Sequence, residues 1–373
     1  MIIVNTLNNN SAAFFELVRS GLWENKAKLL PYDKINYLEV MRLAEEQAVV
    51  GLVTAGLENV VDVKVPKEEL LQFIGETLQI EERNKTMNAF IRNIVEKMRH
   101  EDIYTLLVKG QGVAQCYERP LWRSAGDIDF YLSETNYEKA KEYLVPLAQS
   151  VESEDKNRLH LGMTIDSWVV ELHGSMHTGI SKKMNRISDE VHHDIFYNGN
   201  IRSWNDNGTT VFLPDANNDS IIIFNHFITH FYGEGIGLRQ ICDWCRLLWK
   251  YKGQIDYSLL EKRLKKMKLL GEWKTFGVLA VDYLGMPVAT MPFYENSSRY
   301  KRKAKILAEL IIETGNFGTN KDNSYRKTSS RITYNILTFW RRFMEFSKIA
   351  TIFPVNAPRF FVNYVANRIT AAI

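Results

Sequence analysis

Asp127 and Asp129 stand two positions apart in the run Arg123-Ser124-Ala125-Gly126-Asp127-Ile128-Asp129-Phe130-Tyr131-Leu132. In a strand side chains alternate between faces, so both carboxylates point one way while Ile128 and Phe130 enter a core. Adjacent anions repel unless something positive lies between them, and hard oxygen donors with room for phosphate oxygens suit magnesium. A third carboxylate, Glu171, lies in Trp168-Val169-Val170-Glu171-Leu172-His173, where the same period of two puts Glu171 and His173 on one face. If that strand lies beside the Asp127 strand, three carboxylates converge as two metal ions need for phosphoryl transfer.

The elements that must position these residues are legible in outline. Tyr104-Thr105-Leu106-Leu107-Val108 reads as a short strand ending at Lys109-Gly110, before a short helix. Residues 157–165 and 168–174 read as two strands joined at Asp166-Ser167, and residues 201–214 carry a further hairpin signal at Asn205-Asp206-Asn207-Gly208. Helical spacing covers 11–23, 33–57 and 67–100 before the strands, with Pro66 at a start, and 219–232, 238–251, 257–268 and 273–284 after them. The expected architecture is α+β, a small mixed sheet flanked by helical blocks. Its expected divisions are an N-terminal helical region (1–100), a sheet core (101–214), a helical domain (215–298) and a basic, aromatic helical tail (299–373).

A second polar group lies in the downstream helices. His226 and His230 are four residues apart on one face of an apolar helix, and Arg239 and Asp243 follow. Phe227 stands where a zinc protease carries its glutamate, so that chemistry lacks a base. Burial of the histidines against Arg239 and Asp243 is one expectation, and contact with an acceptor or nucleotide is the other. Cys242 and Cys245 have redox or zinc spacing but sit in a helix without a second pair. No Gly-x-x-x-x-Gly-Lys-Ser/Thr occurs, which removes P-loop ATPases.

The order of strand, Lys109-Gly110, Arg123-x-x-Gly126-Asp127-Ile128-Asp129 and Glu171-x-His173 resembles an uncharacterised bacterial nucleotidyltransferase-like family, within the superfamily built on the DNA polymerase beta type of core. The resemblance implies transfer of a nucleoside monophosphate from a nucleoside triphosphate to an acceptor hydroxyl, with magnesium or manganese and loss of pyrophosphate. By motif position Asp127, Asp129 and Glu171 are the catalytic and metal-holding residues. Lys109, Gly110, Gln111 and Arg123 contact the nucleotide, while His173, His226, His230, Arg239 and Asp243 lie near the acceptor or support the site. The superfamily usually has Gly-Ser where this chain has Gly110-Gln111, so the positive charge for phosphate falls to Lys109 or Arg123.

Composition is that of a folded protein of two or more domains: 373 residues, 45% hydrophobic and 24% charged, with three cysteines that cannot form a disulfide framework. A cytoplasmic location is expected, since no signal peptide or membrane span is evident. The net charge of +3 hides an asymmetry. Residues 299–373 hold 14 Lys and Arg against 4 Asp and Glu, interleaved with aromatics as in Phe339-Trp340-Arg341-Arg342-Phe343. Such a tail either packs back on the acidic body or meets an anionic membrane surface, with nucleic acid a weaker alternative. Alternatives to the enzyme are a non-catalytic nucleotide-binding module and a helical interaction protein with an incidental acidic pair.

Overall fold

Pro66 immediately precedes the longest helix, because a fixed φ and a missing N–H cost nothing before the first turn. The computed structural model describes residues 8–320 and 331–370. In it α1 (Asn9–Trp23), α2 (Tyr37–Glu46) and α3 (Val50–Glu58) lead into α4 (Lys67–His100). The single helix expected over 33–57 is therefore two. The break falls at Gln47, which is fully buried and followed by Ala48 at φ 55°. Its amide donates to the Ile311 carbonyl at 3.0 Å and accepts from the Leu238 N–H at 3.0 Å. Both partners are distant in sequence, so nothing local marks the break.

Seven strands form one mixed sheet. In chain order they are β1 (Leu106–Val108), β2 (Ile128–Tyr131), β3 (Ser150–Val151), β4 (His160–Ile165), β5 (Trp168–His173), β6 (Ile201–Asp206) and β7 (Thr209–Pro214), arranged β3-β4-β5-β2-β1-β7-β6. Both expected hairpins form. Asp166 and Ser167 have φ 48° and 68°, and Asn207 and Gly208 have φ 48° and 95°, as two-residue turns with both centres left-handed require. Three helices interleave with the strands: α5 (Gly110–Ala114), α6 (Glu134–Leu144) and α7 (Lys182–Phe196).

Strand alternation gives the two sheet faces different jobs. Leu107, Ile128, Phe130, Val170 and Leu172 pack with Met87, Ile91, Ile94 and Met98 of α4 and with Tyr137 and Leu144 of α6, making one dry layer. The opposite face carries Asp129, Glu171 and His173 and is covered by the later helices. These are α8 (Ala216–Gly233), α9 (Leu238–Lys250), α10 (Tyr257–Met267), α11 (Leu270–Asp282), α12 (Ser298–Thr314), α13 (Arg331–Ile352) and α14 (Asn356–Thr370). The tail does not hang free: Phe346, Phe353 and Phe360 are buried in the same core as Tyr232 and Phe276. On its outer side α13 exposes Leu337, Phe339, Trp340, Phe343 and Met344. Among the described residues no helix is long and apolar enough to cross a membrane.

Candidate active site

Register brings the carboxylates together. β2 and β5 are neighbouring parallel strands in which Asp129 is opposite Glu171 and Tyr131 opposite His173. Asp127 lies just before β2, exposed at the pocket mouth, whereas Asp129 is buried at 2% exposure. One oxygen from each of Asp127, Asp129 and Glu171 falls within 4.8 Å of the others. The donors are all hard oxygens, and a cation already lies among them: the Lys109 ammonium is 2.6 Å from Asp129 Oδ1. The residues therefore fit a divalent ion of the magnesium or manganese kind.

Lys109 reaches this position from the turn between β1 and α5. Its backbone is left-handed at φ 57°, and Gly110 follows at φ 36°. A Cβ on Gly110 would sit 3.4 Å from the Asp127 carbonyl, so the turn packs close to the acidic loop. Burial disfavours the Lys109 charge, but Asp129, Asp127 and Glu171 more than offset it and raise its pKa. The Asp127 pKa is raised, chiefly by the neighbouring Asp129 anion. Glu171 goes the other way. Burial opposes its ionisation, yet hydrogen bonding with His160 and His173 and the Lys109 charge hold its carboxyl well below the usual range. His173 stays basic in spite of burial because its Nε2 meets Asp129 Oδ1 at 2.8 Å and Glu171 Oε2 at 3.4 Å.

Among the other expected site residues the structure sorts clearly. His226 comes within 3.4 Å of Lys109 Nζ through Nδ1, and its ring packs on His230 at 4.5 Å between centroids. Burial and then Lys109 push the His226 pKa well below its ordinary value. Arg123, expected to be free for phosphate, is 7% exposed and locked in a two-pronged pair with Asp243, at 2.7 Å on each prong. Gln111, expected in the phosphate cradle, turns away to the opposite side. Its amide donates to Asn88 Oδ1 at 2.8 Å and Asn84 Oδ1 at 3.3 Å on α4, because the first turn of α5 buries that face. Arg239 lines the pocket with Lys109, Asp127 and Asp129. It donates one bond to the Ser124 carbonyl at 2.9 Å and leaves Nε without a partner.

Two cavities meet here. The smaller is lined by Gly110, Asp127, Asp129 and Arg239, and the larger, of about 300 Å³, by His160, His173, His177 and Asn225. Lys109, Glu171, His226 and His230 line both. Sequence reasoning missed His160 and Tyr117. His160 is the cross-strand partner of His173, a pairing readable once the hairpin at Asp166-Ser167 fixes register. Tyr117, which donates to Asp243 Oδ1 at 2.8 Å, has no local signal.

A family model described as an uncharacterised nucleotidyltransferase matches residues 33–285. No curated protein and no solved structure matches the chain. The matched span runs from α2 through α11 and so contains the whole sheet, every carboxylate of the trio and the lining of the larger cavity. The chain belongs to this nucleotidyltransferase family.

Proposed function

We propose that this protein transfers a nucleoside monophosphate from a nucleoside triphosphate to an acceptor hydroxyl. The acceptor oxygen gives up its proton to solvent and forms a bond to the α-phosphorus, the bond from that phosphorus to the bridging oxygen breaks, and pyrophosphate leaves with that oxygen. Asp127, Asp129 and Glu171 hold the divalent cations, magnesium or manganese. When bound, these neutralise charge on the triphosphate and on the departing pyrophosphate. Arg239, which lines the smaller cavity, is the phosphate-facing cation, and Lys109 adds charge from its pairing with Asp129. Arg123 acts at one remove, since its fork fixes Asp243 and the loop leading to Asp127. The larger cavity receives the acceptor, so that nucleotide and hydroxyl meet across Glu171 and His226.

The observation that carries this reading is the Asp129–Glu171 register, which gathers three carboxylates on a sheet face that is otherwise a packing surface. The test uses triphosphates labelled at the α- or γ-phosphate, incubated with the protein, magnesium and a cell extract. Label from the α-phosphate should enter an acceptor while γ-label leaves as pyrophosphate, and Asp127→Asn should stop both. Transfer of γ-label to the acceptor, or undiminished α-label with Asp127→Asn, would overturn the proposal. For the tail, the exposed Phe339, Trp340 and Phe343 beside a basic segment support contact with anionic lipid. Salt-sensitive co-sedimentation of the full chain with anionic vesicles is the expected result, and none with neutral vesicles.

A further inference from the structure

His160 opens β4 and His173 closes β5, and the two are direct cross-strand partners in the antiparallel ladder. Their rings face each other at 4.8 Å between centroids, inclined by 39°. Glu171, on the same face as His173, turns Oε2 towards both. That oxygen is 3.2 Å from His160 Nε2 and 3.4 Å from His173 Nε2. Two donors bound to zinc at about 2.0–2.1 Å and at a tetrahedral angle stand about 3.3–3.4 Å apart. Both separations are close to that edge length, and one ligand atom from each of the three residues lies within 4.8 Å of the others; metal binding through His173 Nε2 would replace its 2.8 Å bond to Asp129 Oδ1.

The donor set differs in kind from the neighbouring carboxylate trio. Two imidazoles and one carboxylate suit a borderline metal of the zinc type, whereas three carboxylates suit magnesium or manganese. The positive charges flanking the group each have a carboxylate partner: Lys109 is paired with Asp129 at 2.6 Å and Arg158 with Asp155 at 2.6 Å. The His160 and Glu171 side chains keep 31% and 26% exposure towards the larger cavity, so an ion has a route in. We propose that His160, Glu171 and His173 form a second cation site, for a zinc-class metal, whose open coordination position faces the larger cavity. Three protein ligands with one position left for water or substrate is the arrangement of reactive zinc sites, whereas purely structural ones are closed. The site shares Glu171 with the carboxylate trio, but zinc binding does not require nucleotidyl transfer, so the two readings are tested by separate readouts.

The test uses the full chain stripped of metal. Zinc affinity is read by competition with a chromophoric chelator, and the site geometry by the visible absorption of the cobalt(II)-loaded protein. The wild type should bind zinc in the presence of millimolar magnesium and give the intense bands of four- or five-coordinate cobalt. His160→Gln keeps a polar group beside Glu171, and zinc affinity should fall at least about 100-fold. Asp127→Asn, outside the proposed ligand set but within 4.8 Å of Glu171, removes a nearby anion and should lower zinc affinity by clearly less than His160→Gln does. Equal affinity in His160→Gln and wild type, or an equal loss in Asp127→Asn, would overturn the assignment by placing the metal elsewhere. X-ray absorption of the zinc-loaded wild type needs no variant: two imidazole scatterers are expected, and an all-oxygen shell overturns the site. Magnesium–triphosphate binding by the metal-stripped protein, measured alongside, reports on nucleotidyl transfer chemistry independently.

Discussion

Asp127 and Asp129 share a motif but differ in the cost of losing a charge. Asp127 is exposed and its carboxyl is raised by Asp129, so Asp127→Asn removes a repulsion and leaves the fold intact. The expected outcome is loss of nucleotidyl transfer by at least about 100-fold with a melting temperature equal to or above wild type, read by label transfer and calorimetry. Arg123 and Asp243 show the opposite balance. Both are buried, and removing one partner leaves a charge without its counter-ion. Arg123→Met is expected to destabilise by about 3–5 kcal/mol in urea titration, and adding Asp243→Leu should recover most of that loss. A double variant as unstable as the single one would show that the pair is not the unit that matters.

Elements meet through contacts too close to tolerate added atoms. α1 and α3 cross at Gly21 and Gly56, where an added Cβ would lie 1.9 Å from the Leu52 carbonyl oxygen and 2.1 Å from the Leu17 carbonyl oxygen. Backbone cannot yield as a side-chain tip can, so Gly56→Ala should cost about 1–3 kcal/mol by denaturant unfolding although alanine favours helix. α8, α11 and α14 meet at Glu272, which accepts from Tyr232 Oη at 2.9 Å and Asn356 Nδ2 at 2.7 Å. Burial raises its carboxyl pKa. The folded chain therefore holds that proton to higher pH than the unfolded chain. The stability is complete below the unfolded value of about 4.3 and is lost as pH rises through the folded value. Glu272→Gln cannot ionise, so its melting temperature relative to wild type should become more favourable from about pH 4 to about pH 7. A difference independent of pH would refute the assignment.

At the scale of the whole molecule the basic tail is part of the core. Phe360 is fully buried against Tyr232, 4.5 Å between ring centroids, and Phe353 packs on Phe276. Phe360→Ala is accordingly expected to cost about 3–5 kcal/mol, a loss that a loosely attached tail would not show in calorimetry. Charge asymmetry alone left docking and membrane contact open, because it says nothing of which aromatic faces inward; the packing shows inward and outward faces on one segment. Much else was local and therefore legible. Alternation placed Asp129, Glu171 and His173 on one face, although Asp127 lies just before the strand; turn chemistry placed both hairpins, and helical spacing placed α4 and α8 within a few residues. The motif order pointed to the nucleotidyltransferase family for the same reason, since each piece is a short pattern with its own stereochemical cause. Tertiary structure decided what no short pattern encodes: that β5 lies parallel beside β2, that Gln111 turns to α4, that Arg123 is consumed by Asp243, and that Gln47 ends a helix to join α9 and α12. Each depends on atoms remote in sequence coming within hydrogen-bonding range, and only the folded chain brings them there.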